Sequence, residues 1–157
     1  MKRQNKIIAG IVIVFLSAAL ACCVAVNTST LAGLCGVAGL DMDNVDRIEF
    51  IKNREAQEIW VAEDFDTRYD MCEFLNSARC VRSLTPHASG GGMTVKVYLK
   101  EPQYGIEHIE VHMQSDNIVS GSRFTGANAL LTNYRIISGG RSSEEWDAIL
   151  ERCEKIR

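Results

Sequence analysis

The chain has 157 residues, 46% of them hydrophobic, and a formal net charge of −3, a length and composition that suit one packed domain of ordinary size. The charge is uneven: Lys2, Arg3 and Lys6 are the only charged residues of positions 1–40, and they leave −6 for residues 41–157. An acidic body without a concentrated Lys/Arg footprint excludes nucleic acid as a partner, because phosphate binding needs clustered cations.

Residues 1–6 form a basic N-region, and Ile7 to Val26 is an uncharged, almost wholly apolar run. Twenty helical residues at about 1.5 Å each span roughly 30 Å, the thickness of a bilayer's hydrocarbon core. Three cations before the run, with Asp41 and Asp43 as the first charges after it, place the N-terminus in the cytoplasm and residues 41–157 on the extracytoplasmic side. Three fates of the run stay open. Uncleaved, it is a single-pass signal anchor. Cleaved after Ala19-Leu20-Ala21, it is a secretory signal with a small-x-small site. In the third reading, Leu20-Ala21-Cys22 resembles the end of a bacterial lipobox, and the resemblance implies lipidation at Cys22, which becomes the new N-terminus. Two of the three leave the domain bound to the lipid bilayer.

Residues 27–40 are small and uncharged, with Gly33, Gly36 and Gly39 lowering helix tendency, and read as a pliable tether. Residues 41–157 read as an α+β domain. Ile48 and Phe50 alternate with Arg47 and Glu49 in a strand, and Ile59-Trp60-Val61 forms its hairpin partner. Thr67-x-x-Asp70 opens a helix as a capping box, whose Met71, Cys72, Leu75 and Ala78 share one face. Cys80 to Leu84 is a further strand, and Pro86 to Gly92 a loop.

The clearest strand is Met93 to Lys100, with Met93, Val95, Val97 and Leu99 on one face and Thr94, Lys96, Tyr98 and Lys100 on the other. After a Pro102/Gly105 turn its partner, Ile106 to Met113, alternates Ile109, Val111 and Met113 with His108, Glu110 and His112. One apolar and one polar face on both strands predict an antiparallel sheet with one wet side. Asn117 to Ser120 and Leu130 to Ile137 add strands around a Gly121 to Asn128 loop. A last helix is capped by Ser142-x-x-Glu145 and carries the stripe Trp146, Ile149, Leu150, Cys153 and Ile156. The expected architecture is a membrane segment followed by a two-layer sandwich: a mainly antiparallel sheet of five to seven strands with two helices on one face.

His108-x-Glu110-x-His112 puts three metal-ligating side chains on one strand face. Alternate residues are about 6.7 Å apart, however, so the histidines stand roughly 13 Å apart at the backbone and are poorly placed to share an ion. Cross-strand Lys–Glu pairs are expected there instead, and no metal or cofactor is assigned. Asp41-x-Asp43 lacks the glycine and closing glutamate of a calcium loop. The cysteine spacings match no zinc pattern, and thiols on apolar helix faces are expected to be buried and inert. No Gly-x-Ser-x-Gly elbow is present, and an enzyme would need His87 or His112 to meet a carboxylate and a nucleophile across the fold. The loop at 121–128, with Arg123 and Phe124, is the candidate recognition element, because these residue types are enriched in binding hot spots. The expectation is a non-enzymatic, membrane-tethered interaction module for an envelope protein partner, with a lipid-anchored small-molecule binding domain, cleaved before Cys22, as the alternative.

Overall fold

The computed structural model describes residues 10–20, 28–37, 39–52, 58–82, 92–115, 118–125, 128–129 and 132–157. The first of these stretches is a helix, α1 (residues 10–20), and its large apolar side chains, such as Phe15 at 72% exposure, are solvent-facing in the isolated chain. Among the described residues no helix is long and apolar enough to cross a membrane. The remainder of the apolar run, Cys22 with its lipidation reading included, lies outside the described residues.

The body is α+β, with one antiparallel sheet. Its strands are β1 (Thr28–Thr30), β2 (Val45–Lys52), β3 (Glu58–Ala62), β4 (Arg79–Arg82), β5 (Met93–Gln103), β6 (Ile106–Ser115), β7 (Ile118–Thr125), β8 (Asn128–Ala129), β9 (Thr132–Ser138) and β10 (Glu154–Lys155). Nine of them follow the order β1-β4-β9-β7-β6-β5-β2-β3-β10, and β8 pairs with β7 off this path. The sheet thus has more strands than the five to seven expected, because short edge pieces extend it on both sides.

The helices after α1 are α2 (Leu31–Leu34), α3 (Phe65–Ser77) and α4 (Ser143–Leu150). They share one core with the inward face of the sheet, where Phe50, Ile48, Val95, Val97, Ile109 and Val111 are fully buried. Helix α4 starts as the sequence predicts: Ser142 accepts from the Glu145 amide, and Glu145 accepts from the Ser142 amide at 2.7 Å. Helix α3 starts earlier than expected. Asp64, rather than Thr67, is its N-cap, accepting from the Thr67 amide at 2.7 Å.

Three segments differ from expectation. The stretch read as a tether is part of the fold, since β1 pairs with β4 and Leu31, Ala32, Cys35, Val37 and Leu40 are buried. Asn76 fastens its end, accepting from the Leu40 amide at 2.7 Å and donating to the Leu40 carbonyl at 2.8 Å. The supposed loop from Gly121 is instead strand, with β7 running on to Thr125. Gly121 signals close packing there rather than a bend: a Cβ on it would stand 3.2 Å from Cys35 Sγ. Finally, the stripe of the last helix does not reach Ile156. The helix stops at Leu150, and the chain leaves it to pair with β3, so that Ile156 donates to the Ile59 carbonyl at 2.9 Å and its side chain is exposed.

Candidate functional site

The outward face of β2, β5 and β6 carries a connected group of polar side chains. Antiparallel register sets Lys96 directly opposite Glu110, Thr94 opposite His112 and Tyr98 opposite His108. On the other side of β5, Lys96 is opposite Glu49 and Tyr98 opposite Arg47. Directly opposed side chains are within reach of one another, so the alternation of two strands becomes a connected network.

Glu110 is its centre. The side chain is 11% exposed; Lys96 Nζ lies 2.6 Å from Oε1, while His108 Nε2 and His112 Nε2 flank the carboxylate at 3.8 and 3.6 Å. Burial pulls the Lys96 ammonium toward its neutral form, but the hydrogen bond and charge of Glu110, aided by Tyr98 and Glu49, together raise its pKa. His112 Nδ1 is 2.8 Å from Thr94 Oγ1, which orients the ring. At the far end Arg47 pairs with Glu49 at 2.9 Å and lies over the Tyr98 ring at 4.4 Å, and Tyr98 donates to Glu49 at 3.1 Å. Tyr98 in turn stacks on His108, with centroids 5.5 Å apart. The result is a three-layer stack of guanidinium, phenol and imidazole.

Between these groups and the side chains of Ile51 and Ile59 is a hollow of about 310 Å³, with Thr94, Lys96, Glu110 and His112 among its described lining. A larger hollow of about 430 Å³ lies between α3 and α4, but Asp70, Arg141 and Arg152 on its lining are tied in a clamp. Arg141 holds both oxygens of Asp70, at 3.1 and 2.7 Å, Arg152 adds a contact at 3.2 Å, and Arg141 also packs on the Phe74 and Trp146 rings. The Arg141 hydrogen bond holds the Asp70 carboxyl below its usual range.

Among the described residues, the outward face brings together part of what acyl transfer needs. His112 does meet a carboxylate and a hydroxyl, as an enzyme would require, while His87 lies outside the described residues. Yet Thr94 is only 5% exposed in mid-strand, between β2 and β6, and a strand held in ladders on both sides has its amides turned to its neighbours rather than to a reacting oxygen. No group of three or more His, Cys, Asp or Glu among the described residues has metal-holding geometry. Lys96 already stands as the cation on Glu110.

The described cysteines, Cys35, Cys72, Cys80 and Cys153, are free thiols. Burial pushes Cys35 and Cys80 up to about 12, and Cys72 and Cys153 up to about 11. Thiols held so far above neutrality are poor nucleophiles. Arg123 and Phe124 lie on β7 rather than on a loop, opposite Ile109 and His108 respectively; their side chains lie outside the described residues. Sequence reasoning placed Thr94, Lys96 and Tyr98, and His108, Glu110 and His112, on the polar faces of two paired strands, but did not give their register or join Arg47 to them. The signal was the matching alternation of the two strands, whose register only the fold supplies. No family model, no curated protein and no solved structure matches the chain.

Proposed function

We propose that the chain is a membrane-tethered extracytoplasmic interaction module, non-enzymatic, that presents the outward face of β2, β5 and β6 to another envelope protein. The observation carrying this reading is the Arg47–Tyr98–His108 stack: helices pack on the opposite face of the sheet, while this one holds an Arg and a Tyr pre-ordered by ring contacts and ion pairs. Arg and Tyr are the residue types that dominate binding hot spots, and side chains ordered beforehand lose less entropy on binding. The apolar run at 7–26 supports the tether. In the register of β7, Phe124 is opposite His108.

Crosslinking on intact cells, followed by mass spectrometry of what is joined to the domain, tests the proposal. A reproducible protein partner that is lost with Arg47→Glu, and weakened with Phe124→Ala, is the expected result. Recovery of the uncrosslinked monomer alone, from cells in which the protein is folded, would overturn it.

A second reading, a tethered small-molecule binding domain, is favoured by the hollow beside Glu110. Its volume is at the lower end of the usual range for small-ligand sites, about 300–1,000 Å³.

A further inference from the structure

The hollow also constrains what fits it. Its floor is polar and its charges are already matched: Lys96 Nζ is 2.6 Å from Glu110, and the neighbouring Arg47 is 2.9 Å from Glu49. A ligand of net charge would have to compete with one of these pairs for its partner. A neutral ligand leaves both intact.

The floor offers donors and acceptors side by side. The Lys96 ammonium carries three N–H groups, the Glu110 carboxylate has several acceptor lobes, and Thr94 and His112 add a hydroxyl and a ring nitrogen. Glu110 and His112, whose Oε2 and Nε2 stand 3.6 Å apart, both line the hollow. A hydroxyl group, donor and acceptor at once, suits that place whichever tautomer the imidazole adopts. Ile51 and Ile59 give the hollow an aliphatic wall, which suits the C–H face of a small ring.

Resting on the ligand-binding reading above, we infer that this hollow binds a neutral, polyhydroxylated small molecule of the size of one sugar ring, with hydroxyls on Glu110, Lys96 and His112 and its carbon face against Ile51 and Ile59. The same ring in three charge states tests it: methyl glucoside, glucosamine and glucuronate. Each is titrated into the full chain in a detergent without sugar headgroups, and the His112 ring-proton signal is followed by NMR. Methyl glucoside is expected to give a saturable shift, weakened about tenfold or more by Glu110→Gln, with both charged rings weaker than the neutral one. Ile51→Asn, at the wall, serves as a second variant should Glu110→Gln disturb the fold, and is expected to weaken binding too. Tighter, Glu110-dependent binding of glucosamine or glucuronate would overturn the ligand class while leaving a binding site in place. No saturable shift with any of the three would overturn both.

Discussion

The absence of a single side chain allows one close approach in this molecule. Gly121 is where the turn after α2 rests on the sheet, and a Cβ there would meet Cys35 Sγ at 3.2 Å and Leu34 Cβ at 3.8 Å. Gly121→Val is therefore expected to destabilise the protein by about 1–3 kcal/mol in urea unfolding, the usual cost of overpacking. Cys35→Ala, combined with it, should return part of that loss, because it removes the sulfur in the way; strict additivity of the two would show that the contact is not the cause. Glu110 is a different case. Sequence alternation puts it on the wet face, and that is correct, yet the residue is buried there. Its burial follows from neighbours on β5 that a single strand's pattern does not display.

At the scale of elements, α3 and α4 are joined less by their apolar stripes than those stripes suggest. Helix α4 is short, and its N-terminal end is held to α3 by Arg141, which grips Asp70 and packs against both the Phe74 and the Trp146 rings, themselves in edge-to-face contact. Because the Arg141 hydrogen bond lowers the Asp70 pKa in the folded state, the stability this pair contributes is fully present above the carboxyl's unfolded pKa. It is lost as pH falls through the lowered folded value. Thermal unfolding measured from neutral pH downward should show that loss, and Asp70→Asn should lower stability near neutrality and flatten the acid limb. An unchanged acid limb in Asp70→Asn would assign the pH dependence to other carboxylates. The capping boxes illustrate how local signals fare. Ser142-x-x-Glu145 acts as a cap because both partners lie at the start of the helix, whereas Thr67-x-x-Asp70 lies inside α3, where Thr67 is buried and Asp70 is claimed by Arg141.

For the whole molecule, the main consequence is that the domain begins at β1. One residue, Asn27, separates the end of the apolar run, Val26, from the first strand residue, Thr28, so the two steps of an extended chain allow about 7 Å between them. If the run spans the bilayer, the β1 edge of the sheet is held at the membrane surface rather than carried on a free tether. A chain beginning at residue 41 is expected not to fold, since it lacks β1 and the buried Leu31, Ala32, Cys35, Val37 and Leu40. A chain beginning at residue 27 should fold. Circular dichroism melting of the two pieces checks this, and a cooperative transition in the shorter one would return residues 27–40 to the role of a linker.

Much of the architecture was determined by the sequence alone. The β5–β6 hairpin, with both of its faces, follows from strict alternation, and the turn between its strands is made by Tyr104 and Gly105 at positive φ. The cap of α4 and the α+β class follow from equally local signals. The site was not determined this way, because it consists of register: Lys96 to Glu110, Thr94 to His112 and Tyr98 to Arg47 are pairings between strands, and each strand's own pattern is silent about its neighbour. The tertiary structure also decided the role of residues 28–40 and of Gly121. Small residues and glycines give the same composition to a flexible linker and to a tightly packed turn, and only the presence of a core on the other side distinguishes them.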